Sequence, residues 1–80
     1  DYLLICDATG GAITMTLPAA ALVPGRIYAF KRINAGANNV IIDGYGAETI
    51  DGALTHTLTP QWNCAVVMSN GVAWFKIIAN

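Results

Sequence analysis

The stretch Cys64-Ala65-Val66-Val67-Met68-Ser69-Asn70-Gly71-Val72-Ala73-Trp74-Phe75-Lys76-Ile77-Ile78 decides the fold. Two apolar runs flank Ser69-Asn70-Gly71, and Asn-Gly between such runs is a strong hairpin signal. Successive side chains of a strand point to opposite faces. The second arm therefore sets Val72, Trp74, Lys76 and Ile78 against Ala73, Phe75 and Ile77. A small sheet normally packs one face and wets the other, yet neither face here is polar. An 80-residue chain buries only about 60% of the surface its unfolded form exposes. The hairpin thus calls for cover beyond its own chain, and the expected cover is further copies of that chain.

Outward from the hairpin, the rest also reads as strands. Tyr2 to Cys6 is apolar and ends at the turn Asp7-Ala8-Thr9-Gly10-Gly11. Ala12 to Leu17 alternates Ile13, Met15 and Leu17 with Thr14 and Thr16, until Pro18 stops the ladder. Ala19 to Val23 permits one helical turn, read as a crossover. After the Pro24-Gly25 turn, Arg26 to Ile33 places Ile27, Ala29, Lys31 and Ile33 on one face and Arg26, Tyr28, Phe30 and Arg32 on the other. Those charges suit a sheet edge or rim.

Asn34 to Asn39 is a polar loop, followed by a strand over Asn39 to Asp43 and the turn Asp43-Gly44-Tyr45-Gly46. A brief strand at Glu48 to Ile50 ends in Asp51-Gly52, a second hairpin signal. Leu54 to Thr59 alternates again, and Pro60-Gln61-Trp62-Asn63 links it to the last hairpin. Eight short strands with closely spaced turns predict one all-β domain over residues 1–80, a small antiparallel β-sandwich or barrel of jelly-roll type.

Composition excludes several classes. Charged residues make up 11% and hydrophobic ones 55%, against a typical charged share of about 25%. Four basic residues against five acids leave a net charge of −1. This is no footprint for nucleic acid or an anionic membrane surface. The longest aliphatic runs are far short of the roughly 20 residues that span a bilayer as a helix. Asp1-Tyr2-Leu3 lacks the basic start of a signal peptide. The chain opens inside a strand, so the expectation is a fragment of a longer protein. The two cysteines, Cys6 and Cys64, fit no zinc or redox motif, and the plain reading is two small buried hydrophobes.

Catalytic chemistry has little support. The single histidine, His56, shares a face with Leu54 and Leu58 and reads as a core or interface residue. The single serine, Ser69, sits in a turn without a sequence-adjacent base. Asp43, Glu48 and Asp51 cluster, but they lack calcium-loop spacing and read as turn and edge residues. Gly44 and Gly46 lack the rest of a dinucleotide fingerprint. The chain is not expected to be an enzyme or to hold a metal or cofactor.

Aromatic residues offer a better ligand signal. Sugars stack their C–H face on an exposed ring while flanking polar groups satisfy their hydroxyls. Trp62 between Gln61 and Asn63 fits that description, and Tyr45 with Asp43 is the second candidate. The apolar faces Tyr28–Phe30 and Ala73–Phe75–Ile77 are the candidate subunit interface.

An ordered set of motifs adds a resemblance. It comprises Thr14-Met15-Thr16-Leu17-Pro18-Ala19-Ala20-Ala21, Pro24-Gly25-Arg26-Ile27-Tyr28-Ala29-Phe30-Lys31-Arg32-Ile33, Asn38-Asn39-Val40-Ile41-Ile42-Asp43 and Glu48-Thr49-Ile50-Asp51-Gly52, closed by Asn70-Gly71 and Trp74. It resembles a module of bacteriophage tail fibres, tailspikes and other virion appendages. The resemblance implies an all-β domain near the end of a trimeric fibre, assembled in the bacterial host cytoplasm and carried on the virion. There it would trimerise the fibre and in some members touch host-surface glycans. The apolar final hairpin and the two cysteines depart from that pattern. The expectation is a structural trimerisation module, with a carbohydrate-binding tip as the alternative.

Overall fold

A computed structural model describes residues 2–79. It holds seven strands, β1 (Tyr2–Cys6), β2 (Ile13–Thr16), β3 (Ile27–Arg32), β4 (Val40–Asp43), β5 (Thr55–Leu58), β6 (Cys64–Ser69) and β7 (Trp74–Ala79), with one 3-10 turn at Ala20–Leu22. The protein is all-β, and the expected helical turn between Ala19 and Val23 is that 3-10 turn. The brief strand expected at Glu48 to Ile50 shrinks to bridges from Ile50 to Ala53 and to Trp74. Its bonds go into turns instead: Glu48 N donates to Tyr45 O, and Ile50 and Ala53 bond each other across Asp51-Gly52. Both of those central residues have positive φ, 51° and 85°, as a type I′ turn requires.

The strands form two sheets, β1-β3-β6-β7 (sheet A) and β2-β4-β5 (sheet B). Neither closes into a barrel, and neither is purely antiparallel. β1 runs parallel to β3 and β2 parallel to β4, while β4–β5, β3–β6 and β6–β7 are antiparallel. The antiparallel expectation fails because consecutive strands at the start of the chain do not pair. The chain passes from β1 in sheet A to β2 in sheet B across the arch 7–12, returns, and repeats the path through β3, the arch 33–39 and β4. These are two coils of a short β-solenoid, offset by 26 residues in sheet A (Tyr2 to Tyr28) and 27 in sheet B (Ile13 to Val40). Where the stacked coils start, the Tyr2 and Tyr28 rings stack at 5.2 Å. Hairpins β4–β5 and β6–β7 then complete each sheet.

The core lies between the sheets. Leu17, Phe30, Val40, Ile42, Ile50, Leu58, Val67 and Trp74 are buried there. Tyr28 packs on Trp74 with ring centroids 5.6 Å apart. One face of the last hairpin is thus covered from within, by sheet B. Phe30 is only 3% exposed and Tyr28 shares its face, so that half of the expected subunit interface is core.

The other face of sheet A stays uncovered. Directly paired residues share a face. Leu3, Ala29, Val66 and Ile78 therefore form one row across all four strands, Ile27, Met68 and Phe75 a second, and Ile5, Lys31 and Cys64 a third. A register shift between Val66 and Val67 makes Ile77 the extra residue of a bulge. It moves Ile78 to the outer face, where strict alternation had grouped it with Trp74. Leu3 is 67% exposed, Ile78 58% and Phe75 43%.

Candidate functional site

Three regions carry the candidate residues, and the fold separates them. The first is the arch end, where β1 and β3 finish and β2 and β4 begin. Its centre is Arg32, buried beside Phe30 on the inner face of β3. Its guanidinium donates to the carbonyls of Gly36 (2.8 Å), Asn38 (2.6 Å) and Thr59. A buried charge is stable only when hydrogen-bonded in this way. Asn34 adds to the lock, accepting from Ala8 N at 2.9 Å and donating to Asn38 O at 2.9 Å. The arch of one coil is thereby tied to the arch of the other. The sequence reading set Arg32 at a rim. Its shared parity with Phe30 was the available signal for burial.

The linker 60–63 hangs from this lock. Trp62 N donates to Arg32 O at 2.8 Å, Asn63 N to Pro60 O at 3.1 Å, and Asn63 O accepts from Arg32 N at 2.9 Å. Gln61 Nε2 donates to Ile33 O at 3.0 Å. Trp62 is held at φ 69°, a left-handed conformation rare for a large side chain, and the residue is 57% exposed. Of the sugar candidates here, Trp62 is displayed, Gln61 serves the backbone through its amide nitrogen, and Asn63 is buried.

The second region is the opposite end, beyond β4. Tyr45 is exposed there on an open groove of about 520 Å³, lined also by Glu48, Thr49, Val72 and Ala73. Asp43 is half-buried and its carbonyl accepts from Leu17 N. Tyr45 and Trp62 therefore stand at opposite ends of β4, and no single ligand of monosaccharide size spans both. Glu48 is occupied, since its carboxylate accepts from Ala20 N at 3.0 and 3.3 Å. Asp51 accepts from Lys76 N at 3.1 Å. Across from it, Lys76 Nζ stands 3.4 Å from His56 Nδ1, joining the edge strands of the two sheets. Burial, then the Lys76 charge, holds the His56 pKa below its usual value, against an opposing pull from Asp51. No cluster of three metal-ligating side chains occurs among the described residues.

The third region is the outer face of sheet A. Of the expected interface residues, Phe75 is exposed there, Ile77 is exposed at the bulge, and Ala73 is half-buried in the loop before β7. The sequence did not single out Leu3, Ile5 and Ile78, which complete the surface. Cys64 lies on this face and Cys6 is buried on the inner one, and the two are not joined in a disulfide. Burial raises the Cys6 pKa. No helix among the described residues is long and apolar enough to cross a membrane. Comparison with protein-family models, with curated proteins and with solved structures found no match for this chain.

Proposed function

We propose that this chain is a structural assembly module whose sheet A packs its outer face against copies of itself, as the trimerisation domain of a phage tail fibre or tailspike. One observation carries the assembly reading: a four-stranded sheet covered on one side and bare on the other, with Lys31 the one charged side chain in its three rows. Removing such apolar surface from water is worth roughly 25 cal/mol per Å². The number three and the virion setting come from the sequence resemblance. In light scattering, the purified chain should have three times the mass of one copy. The double variant Phe75→Lys/Ile78→Lys should reduce it to one copy with unchanged circular dichroism. A wild-type monomer, or a variant that still assembles, would overturn the reading.

A second reading is favoured by Trp62, whose exposed ring is held in a costly backbone conformation. Such outliers concentrate at binding positions. On this reading Trp62 stacks against a pyranose ring of a host-surface glycan, and three weak sites gain from being joined. Trp74 is buried, so quenching of the exposed tryptophan fluorescence by added polysaccharide should report on Trp62. The signal should vanish in Trp62→Ala while the assembled mass stays the same.

A further inference from the structure

The two edges of sheet A are treated differently. The far edge is closed by the segment before β5, which lies along β7. Trp74 N donates to Thr49 O at 2.9 Å, Asp51 N to Trp74 O at 3.0 Å, and Lys76 N to Asp51 Oδ1 at 3.1 Å. The bulge at Ile77 adds to this. Both devices oppose the addition of another strand.

The near edge has neither device. Cys6 O accepts from Ile33 N, while Ile13 N and Leu17 N donate to Asn39 O and Asp43 O. Backbone direction alternates along a strand. Tyr2, Leu4 and Cys6 therefore turn their N–H and C=O toward β3, and Ile13, Met15 and Leu17 turn theirs toward β4. Leu3, Ile5, Thr14 and Thr16 turn theirs to the open side. Neither strand, YLLIC or ITMT, contains Pro, Gly, Lys or Arg, and the Arg26 guanidinium reaches only the face of the Tyr2 ring. Leu3 and Ile5 are also exposed.

The molecule contains its own example of what fits there. Its second coil sits parallel on the first in both sheets at once, offset by 26 and 27 residues, with the arches tied through Asn34 and Ala8. A second copy fits less well. Head-to-tail stacking would meet the closed β7 edge, and a two-fold axis would pair β1 with itself antiparallel rather than continue the coil.

We propose that the β1–β2 edge is a seat for one further parallel strand–arch–strand coil of this chain's own kind joined ahead of it, laid on the first coil as the second is laid. This surface differs from the outer face of sheet A, because its hydrogen bonds lie in the plane of the sheet.

The test grafts a duplicate of residues 1–26 ahead of Asp1, one coil length upstream. It is made in the Phe75→Lys/Ile78→Lys background, so that loss of self-association leaves the readout intact. Amide hydrogen exchange is followed by NMR at Leu3, Ile5, Thr14 and Thr16. Seating should slow these four amides by about ten-fold or more at the mass of one copy. A control duplicate with proline at the positions copied from Leu4 and Met15, whose N–H groups would face the edge, should leave them fast. Unchanged exchange with the competent duplicate would overturn the proposal. So would protection that appears only with doubled mass and disappears on dilution, because the added strand would then come from another copy.

Discussion

Gly44 has no room for a side chain. A Cβ there would overlap the main-chain oxygen of Glu48. That oxygen cannot easily yield, because Glu48 N is bonded to Tyr45 O and its carboxylate to Ala20 N. Gly44→Ala should therefore cost about 1–3 kcal/mol, the usual penalty for forcing atoms into a packed site, measured by urea unfolding. Trp62 predicts the opposite sign. Its left-handed backbone costs roughly 1–2 kcal/mol, which glycine avoids at some expense in unfolded-state entropy. Because the ring is exposed, Trp62→Gly should stabilise the fold by up to about 1 kcal/mol. It should also abolish any quenching by polysaccharide. A loss of stability would mean that the ring packs in the assembled form. The exposure of Trp62 was legible in its polar neighbours, but its backbone conformation was not. That conformation is set by Arg32, thirty residues earlier, whose role depends on three carbonyls that only the fold assembles.

Individual strands could be read from alternation, because burial on one face leaves a period of two in the sequence. Their partners could not be read. Ile13-Thr14-Met15-Thr16 alternates identically whether its neighbour runs parallel or antiparallel, so the coil arrangement was missed. The Asp51-Gly52 turn was legible because its two positive φ values are a local demand. The Ile77 bulge was not, since it follows from register against Val66 and Val67.

At this scale the meeting of β5 and β7 makes a pH prediction. His56 is held below its usual pKa by burial and by Lys76, so the folded state takes up its proton less readily than the unfolded chain. The resulting stability is complete above the unfolded value of about 6.5 and is lost as the pH falls through it toward the lowered folded value. Thermal unfolding should show that loss in the wild type and less of it in His56→Gln. Lys76→Met should raise the His56 titration midpoint seen by NMR. An unmoved midpoint would mean that Lys76 does not reach the ring in solution.

For the whole molecule, the sequence left both faces of the last hairpin in need of cover from beyond the chain, and the structure covers one of them from within. Sheet B covers Trp74 and Val67, leaving Phe75, Ile78 and Leu3 bare. If the bare face is an interface, stability must depend on concentration. The unfolding temperature should rise with protein concentration for the wild type and stay flat for Phe75→Lys/Ile78→Lys. A flat wild-type curve would indicate that the exposed face is tolerated by a monomer.

The alternation of the chain between sheets has a kinetic consequence. In the first 43 residues, each sheet has gained only two parallel strands, and such a pair is a poor nucleus. β3 waits for β6, and the outer face is not complete until β7 is laid down. Most closing contacts span long loops, so folding should be slow for so short a chain. On a ribosome the nascent segment would stay open until nearly all of it had emerged, when the bare sheet would form in the same event that completes the core. Neighbouring nascent chains would then have no finished surface with which to associate prematurely.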